Sequence, residues 1–352
     1  HRDLHSFPTR RSSDLCDREP IHIVGSVQPH GFLLGLEARS LTIVQASANA
    51  PAAATVGTVL DAALPDLAAV VRHHLAAAEP QDGALYLRTV TLETGGGRQA
   101  YEVAAHRVDD LVVLELEEID AAAAEIGVDV LTPRLRAFVE RLQTARTVED
   151  LCRFVAEDIR QITGLDRALV YRFDRDWHGT VLAEAGNGVL PSYLDLRFPA
   201  SDIPVQAREL YRRNRLRIIP DAGYVPVPIR PATTPSGKPL DLSQSVLRSV
   251  SPVHVEYMRN MGTMASMSVS ILVDGGLWGL ISCHNRTPKR VPLQARNACD
   301  VLTQIFALQL SARERGAQSE KRLALGAVQA RLLAFMAEED SFVDGLLNHP
   351  DD

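Results

Sequence analysis

Short apolar runs separated by turn signals dominate the chain from about Ile21 to Glu118. Glycines at 95–97 and the pair Asp109-Asp110 mark turns between these runs. An Ala-rich stretch at 61–79 has the composition of a helix. The pattern predicts a small α+β domain. Its strand-like runs lie at 31–37, 41–47, 85–93, 100–108 and 111–117.

Helical periodicity opens the second part of the chain, before strand-like runs return. Apolar residues at helical spacing through 131–163 predict two helices. Thr147 begins a capping-box-like TVED, Gly164 is a natural helix stop, and Asp274-Gly-Gly indicates a hairpin. Strands are predicted at 168–173, 180–185, 266–273 and 277–284, and helices after Ser201 and from Pro252, with Ser251 as its cap. We therefore expect an α+β domain with helices before and after one sheet.

An almost continuous helical pattern runs from Pro292 to Leu347. Its apolar residues recur from Val301 to Phe335 and form a stripe that must be buried against another helix. A homodimer-forming bundle is the simplest interpretation, and an intramolecular partner is the alternative. The last residues have the pattern of a further domain that has only begun.

Composition narrows the class of protein. With 46% hydrophobic and 23% charged residues and a net charge of −7, the chain has a globular composition and no clustered Lys/Arg surface for nucleic acid. No apolar stretch approaches the roughly 20 residues of a membrane span. The four cysteines are not in CxxC pairs, which excludes common zinc and redox motifs and fits a reducing compartment. We expect a cytoplasmic protein with no nucleic-acid or membrane partner.

Two segments contain candidate chemistry but also have ordinary interpretations. Cys16 could be a reactive thiol or an exposed residue without a role. Asp202 lies between prolines, and Tyr211 and Arg217 follow it along the chain. An acid, a phenol and a guanidinium that converge can fix a polar, anionic ligand. The alternative is a capped helix with surface arginines.

A third segment combines a helix with a strand hairpin. His254, Tyr257 and Met258 share one helix face by spacing. Ser266, Ser268 and Ser270 alternate with apolar residues that must face the core, so the hydroxyl row faces either a pocket or solvent. His284 ends the paired strand, where it is either structural or directed into the same pocket.

Together these segments resemble the bacterial phytochrome family, from Cys16 to about residue 345. CDREPIHIVGSVQPHG, which begins at Cys16, is similar to the family's chromophore-attachment arm, and FPASDIP at 198–204 resembles its GAF signature. SPVHVEYMRNMG from Ser251 and LWGLISCHNRTPKRVP from Leu277 resemble its chromophore-pocket helix and closing strand. The resemblance implies an α+β fold in which a PAS domain precedes a GAF domain, each an antiparallel sheet with flanking helices, followed by a long C-terminal helix. It also implies a figure-of-eight knot, with the N-terminal arm passing through a loop at 220–246.

The resemblance also implies domain limits. We expect a PAS domain with its arm over 16–125, a bilin-binding GAF domain over 126–312, and a helical linker with the start of a PHY domain over 313–352. Residues 1–15 have no pattern of their own and are interpreted as a leader that is either non-native or a disordered arm.

The implied cofactor is biliverdin IX alpha, attached through a thioether to Cys16. In phytochromes that use more reduced bilins, the attachment cysteine occupies the position directly before the pocket histidine. By resemblance, that position is Val253 in this sequence. The implied cofactor-binding residues are Cys16, Asp202, His254, Arg217, Arg248, Ser251, Ser266, Ser268, Tyr171, Phe198, Ile203, Pro204, Tyr211, Tyr257 and His284.

The resemblance to the family also implies a role for several of these residues. Asp202 would accept from pyrrole N–H groups through its backbone carbonyl, and His254 would stack near the rings. Arg217 and Arg248 would hold the propionates, with lighter contacts from the serines. Tyrosines and Phe198 would form the walls around the ring that rotates, and His284 would donate to the carbonyl of that ring.

The implied function is a red/far-red photoreceptor that signals, through bilin double-bond isomerisation, to a C-terminal output domain such as a kinase. The sequence contains no kinase signature, and self-catalysed chromophore attachment is a single turnover, so we do not expect an enzyme. Since only the start of a PHY domain is present, incomplete photoconversion and near-infrared fluorescence are expected. The alternatives are a PAS–GAF sensor of another small ligand, such as haem or a nucleotide, and a dimerisation scaffold without a chromophore.

Overall fold

A computed structural model describes residues 19–77, 83–94, 97–120 and 128–338. Its strands are β1 (Ser26–Val27), β2 (Gly31–Glu37), β3 (Ile43–Ser47), β4 (Leu85–Thr94), β5 (Gly97–Val108), β6 (Leu111–Glu118), β7 (Arg167–Phe173), β8 (Gly179–Gly186), β9 (Arg197–Phe198), β10 (Leu216–Ile219), β11 (Val227–Arg230), β12 (Ala265–Val273) and β13 (Gly276–Asn285). Its helices are α1 (Leu60–Ala63), α2 (Pro65–Ala77), α3 (Val128–Thr144), α4 (Val148–Thr163), α5 (Val205–Arg213), α6 (Pro252–Asn260) and α7 (Leu293–Glu338).

The first sheet is antiparallel, in the order β1-β11-β3-β2-β6-β5-β4. β2 is buried on both faces, which is why its sequence GFLLGLE lacks hydrophobic alternation. Leu34 packs in the cluster that contains Leu67 of α2, whereas Leu33 packs on the opposite side with Leu242 and Leu247. The second domain thus covers one face of this sheet.

β11 lies far along the chain from its neighbours in the first sheet. It pairs with β1 through Ser26↔Pro228 and with β3 through Ile229↔Ser47. A loop of the second domain therefore supplies a strand to the first domain. The predicted figure-of-eight knot also involves residues before Glu19, which are not among the described ones, and it stays a prediction.

The second sheet is antiparallel, in the order β10-β12-β13-β7-β8-β9. One face packs against α3, α4 and α7 in a cluster that includes Phe138 and Phe306. Asp274 and Gly275 adopt positive φ of 49° and 79° in the predicted hairpin between β12 and β13. The capping box at Thr147 and the left-handed stop at Gly164 are both present in α4, as the sequence predicts.

Two local predictions in the second domain need correction. The helix predicted after Ser201 begins only at Val205, because Pro204 holds extended backbone and disfavours helical geometry at the residue before it. A short 3₁₀ turn over Ala200–Asp202 precedes it. The Ser251 side chain makes no capping hydrogen bond to α6, although Pro252 does occupy the first turn.

α7 is one continuous helix of 46 residues and confirms the predicted helical pattern through Glu338. Its first turns pack on the second sheet, with Cys299 and Phe306 fully buried. Further on, Leu323 and Leu333 are exposed in this single chain. The homodimer that would cover this stripe stays a prediction. Within the described residues, no helix combines the length and the apolar character needed to cross a membrane.

A buried ion pair joins the two domains. Arg296 of α7 is 1% exposed and donates to both carboxylate oxygens of Glu117 on β6, each at 2.8 Å. Glu102 lies 3.8 Å from the same guanidinium, and His30 lies 3.8 Å from Glu117. Burial raises the pKa of Glu117, but Arg296 and His30 outweigh this effect and lower it below its usual range. Arg296 is therefore the cation that balances the buried carboxylates of Glu117 and Glu102 between the two domains.

Replacing Arg296 with Met should therefore leave buried carboxylates without a cation and lower the free energy of unfolding by about 3–5 kcal/mol. Arg290→Met is the matched control. Arg290 is an exposed arginine that lies 3.6 Å from Glu118, the residue next to Glu117 on β6. Its loss should cost less than about 1 kcal/mol. Urea denaturation measures the free energy of unfolding of both variants. Equal losses would show that the buried ion pair stabilises the protein no more than the exposed one.

Candidate ligand-binding site

A cavity opens on the face of the second sheet that is turned away from α3, α4 and α7. The empty space in it, including the opening to solvent, is about 860 Å³. It is lined by Leu169, Tyr171, Val181, Tyr193, Phe198, Asp202, Ile203, Tyr211, Arg217, Ile219, His254, Tyr257, Met258, Met261, Thr263, Ser266, Ser268, Leu280, Ser282 and His284.

Most of the residues singled out in the sequence converge on this cavity. Pro204, Arg248 and Ser251 do not line it, and Cys16 lies outside the described residues. The sequence-predicted residues that line it are Tyr171, Phe198, Asp202, Ile203, Tyr211, Arg217, His254, Tyr257, Ser266, Ser268 and His284. Their roles toward a ligand stay predictions.

Strand alternation explains why β12 and β13 contribute polar groups. Ser266 and Ser268 line the cavity while Met267 between them lies in the core. Ser270 belongs to the same row, but its hydroxyl donates to the carbonyl of Tyr211 at 2.7 Å and holds α5 to the sheet. Cys283 faces the core, where burial raises the pKa of its thiol to about 12.

Sequence reasoning missed several lining residues. Alternation along β7 and β13 could have identified Leu169, Leu280 and Ser282, which share strand parity with Tyr171 or His284. Nothing in the sequence singles out Tyr193, which lies between β8 and β9, away from regular structure.

Aromatic rings form one wall of the cavity. Tyr171 packs edge-to-face on Phe173 with ring centroids 5.3 Å apart, and lies 6.0 Å from Phe198. The ring centroids of Tyr193 and Phe198 are 5.9 Å apart. A Cβ at Gly179 would overlap the Tyr171 ring, so the absence of a side chain there makes room for the wall.

Asp202 and Tyr257 form a polar pair at the cavity. The 3₁₀ turn positions Asp202, and Tyr257 on α6 hydrogen-bonds to it. Burial, followed by the charge of Asp202, raises the pKa of Tyr257 above its usual range. Burial likewise raises the pKa of Tyr171, again with Asp202 contributing. Both phenols are therefore neutral near pH 7.

Two arginines are linked beside the cavity, which Arg217 lines and Arg248 does not. Arg217 donates to the carbonyls of Val246 (3.3 Å) and Arg248 (2.7 Å), and Arg248 donates to the carbonyl of Ile21 (2.7 Å). Burial and then the charge of Arg217 lower the pKa of Arg248 to about 9. In the part of the chain that the structure describes, neither forms an ion pair with a carboxylate. Buried cations without an anionic partner are costly, so this end of the site favours an anionic ligand.

Two histidines of the cavity are neutral. His254 is exposed toward the cavity and stacks on Tyr257 with centroids 6.3 Å apart. Desolvation of its ring in the cavity, followed by the charges of Arg217 and Arg248, lowers the pKa of His254 to about 4. Burial and the charge of Arg167 lower the pKa of His284 to about 3. Across the described ranges, no group of His, Cys, Asp and Glu has the arrangement of a metal site.

Comparison with known families identifies both domains. Residues 16–119 match the family model described as a PAS fold, and residues 147–313 match that of the GAF domain. The expected limits at 125/126 and 312/313 stay predictions, and α7 continues through the second of them without a break.

The relatives that this chain resembles over most of its length are phytochromes. The chain is 40% identical to cyanobacterial phytochrome B of Nostoc sp. over 98% of this chain and 46% of that protein. It is 36% identical to a bacteriophytochrome of Pseudomonas aeruginosa over 96% of this chain and 46% of that protein. It therefore spans less than half of the length of these relatives.

One solved structure is matched over nearly its whole length. The chromophore-binding domain of a bacteriophytochrome from R. palustris is 42% identical, with a TM-score of 0.77, and the match covers 86% of this chain and 99% of that domain. Because identity, fold and the order of the two domains all agree, the chain belongs to the bacteriophytochrome family, and its two sheets are the PAS and GAF domains of that family.

Proposed function

We propose that this chain is the light-sensing part of a red/far-red photoreceptor that holds biliverdin IX alpha covalently through Cys16. The observation that carries the proposal is the pair Arg217 and Arg248: Arg217 lines the aromatic-walled cavity, Arg248 adjoins it, and neither forms a salt bridge with a carboxylate among the described residues. The similar domain from R. palustris is a chromophore-binding domain, which agrees with this interpretation.

The two guanidiniums fit the two propionates of a biliverdin. Arginine binds carboxylates in a bidentate geometry, and burial strengthens such charge-assisted hydrogen bonds. Ser266 and Ser268 offer hydroxyls from β12 in the cavity lining. Ser251, at the start of α6, donates its hydroxyl to Glu19 and would exchange that partner for a carboxylate of the ligand. We assign all five side chains to the carboxylate-bearing side of the ligand.

The remaining lining residues fit a flat, conjugated ligand. Tyr171, Phe198, Tyr211 and Tyr257 supply walls that restrict which ring can turn. The backbone carbonyl of Asp202 would accept from pyrrole N–H groups, and its carboxylate would favour the protonated rings. Ile203 and Pro204 hold this turn, His254 lies against the rings, and neutral His284 donates to a carbonyl.

Attachment through Cys16 is supported by the neighbouring chain. Glu19 accepts from the Ser251 hydroxyl at 2.7 Å, and Ile21 accepts from Arg248. Glu19 and Ile21 follow Cys16 by three and five residues in the sequence, so the chain that leads away from Cys16 is held by Ser251 and Arg248. Val253 precedes His254 and has no thiol, and the described cysteines Cys152, Cys283 and Cys299 are all buried outside the cavity.

When bound, biliverdin would supply far-red absorption and a double bond that light can isomerise. We propose that the protein passes the resulting change along α7, whose exposed leucines would pack in a homodimer through the GAF domain and this helix. A kinase or other output domain of the longer protein would receive the signal in the cytoplasm. We assign no enzymatic activity to the chain itself.

The first experiment mixes the purified protein with biliverdin, records the absorption spectrum, and images zinc-enhanced bilin fluorescence on a denaturing gel. We expect a far-red band and a fluorescent protein band that Cys16→Ser abolishes. Cys283→Ala is the matched control and should retain the adduct, because that thiol is buried in the core with its pKa raised to about 12.

The other outcomes separate the alternatives. A far-red band without an adduct in the wild type would keep the bilin pocket and discard the role of Cys16. No spectral change would contradict the photoreceptor proposal. In that case binding of haem or a nucleotide, seen as a rise in melting temperature, would favour another ligand, and no shift with any of them would favour a scaffold.

The arginine assignment is tested by reversible binding in the Cys16→Ser background. Arg217→Met should weaken biliverdin binding by about 10- to 100-fold, the usual effect of losing charge-assisted hydrogen bonds. Arg215→Met is the control, because Arg215 pairs with Asp300 at 2.9 Å outside the cavity.

Biliverdin dimethyl ester completes the comparison, because it lacks the carboxylate charges. Wild type and Arg217→Met should bind the ester with similar dissociation constants. If the variant loses as much affinity for the ester as for the acid, Arg217 acts by holding the backbone of Val246 and Arg248, and the propionate assignment is wrong.

A further inference from the structure

Both ring nitrogens of His284 have polar neighbours. Arg167 Nη2 lies 3.1 Å from His284 Nδ1, and Ser282 Oγ lies 3.1 Å from Nε2. A guanidinium has donors and no acceptor, so Nδ1 must accept from it without a proton of its own. The proton of the neutral ring is therefore on Nε2, which faces the serine hydroxyl.

The cross-strand register explains why these two residues meet. Arg167 at the start of β7 is the direct partner of His284 on β13. Side chains directly opposite each other in an antiparallel pair lie on the same face of the sheet. Two and four residues further along β7, Leu169 and Tyr171 line the cavity. Arg167 therefore lies on the cavity side of the sheet, behind His284.

The guanidinium of Arg167 is held from several sides. It is 1% exposed, donates to the carbonyl of Pro191, and lies over the ring of Tyr193 at 3.9 Å from the centroid. Arg167 does not line the cavity, whereas Tyr193, Ser282 and His284 do. Its contact with the ligand site is thus made through these neighbours.

We infer that Arg167 is a positioning residue that fixes the Nε2–H tautomer of His284. This N–H donates to the Ser282 hydroxyl at the cavity, and a carbonyl oxygen of a bound ligand would replace that hydroxyl as its acceptor. The identity of the ligand rests on the proposed function, but the tautomer does not. Without an obligate donor behind the ring, either nitrogen could carry the proton and the ring could turn.

Arg167 also keeps the ring uncharged. Burial is the largest cause of the lowered pKa of His284, followed by the charges of Arg167 from β7 and His254 from α6. Asp202, Tyr171, Tyr193, Tyr257 and Arg217 line the same cavity. Removing Arg167 takes away one of these charges, so the pKa of His284 should rise, while burial still holds it below its ordinary value.

The tautomer is measured first, by NMR of the apoprotein with isotope-labelled histidine, and this needs no bilin. Wild-type His284 should show a protonated Nε2 and an unprotonated Nδ1. Arg167→Gln should give a mixture of tautomers, because an amide can donate or accept. Arg167→Lys should restore the single tautomer, because an ammonium only donates.

Arg172→Gln is the matched control on the same strand. The Arg172 guanidinium lies over Trp278 at 5.3 Å and 3.6 Å from Glu314, away from the cavity. This variant loses an arginine and a cation–π contact without touching His284, so its histidine tautomer should equal that of the wild type. A protonated Nδ1 in the wild type, or an unchanged tautomer in Arg167→Gln, would overturn the inference even if other variants fail to fold.

The second measurement uses the biliverdin adduct. The far-red band should change as His284 gains a proton, and this change should begin at a higher pH in Arg167→Gln than in the wild type, because one cause of the lowered pKa is removed while burial remains. Arg172→Gln should behave as the wild type does, and the double variant Arg167→Gln/His284→Asn should lack the transition. A transition that persists in the double variant would assign the effect to another group and contradict a role through His284.

Affinity gives the last test, in the Cys16→Ser background. Arg167→Gln and His284→Asn should each weaken biliverdin binding by about twofold to tenfold, the usual effect of one hydrogen bond, and the double variant should be no weaker than either. Additive losses would contradict the inference. If biliverdin does not bind the wild type at all, the proposed function fails, and the tautomer measurement still decides the role of Arg167.

Discussion

The addition of β11 to the first sheet is the constraint on which the site depends. This strand comes from a loop of the GAF domain, and its pairing with β1 and β3 holds the following residues against the N-terminal segment. Glu115 of the PAS domain accepts from the backbone N–H groups of Val246 (3.0 Å) and Leu247 (2.7 Å), and Gln28 donates to the carbonyls of Ile218 and Arg248. The backbone that presents Arg217 and Arg248 is thus fixed by buried polar groups of the other domain. Neither domain would form this end of the site alone.

The electrostatics of the cavity divide it into two regions. One region has the guanidinium of Arg217 with Arg248 behind it, while His254, His284, Tyr171 and Tyr257 are neutral near pH 7. A ligand with carboxylates at one side and uncharged polar groups at the other matches this division. The guanidiniums also depress the pKa of His254, so the charged region helps to keep its neighbour neutral.

Local patterns allowed much of this to be predicted, and the limits have physical reasons. Alternation on β12 and the glycine hairpin specified which serines leave the core, and the capping box at Thr147 specified the start of α4. The helix after Ser201 was placed too early, because the restriction that Pro204 imposes on the preceding residue outweighed the capping signal. Arg167 and Tyr193 could not be found, since their roles arise from a cross-strand pair and a loop that only the folded chain brings together.

The length of α7 gives the molecule a mechanical property. At about 1.5 Å per residue, its 46 residues extend for about 69 Å. Its apolar packing on the GAF core ends at about Leu310, and its polar contacts with that domain end at about Arg315. The part beyond this anchor acts as a lever arm. A tilt of about 5° at the anchor would move the end of the helix, about 35 Å away, by roughly 3 Å. A change at the base too small to break any packing contact would thus become, at the far end, a displacement comparable with the radius of a helix.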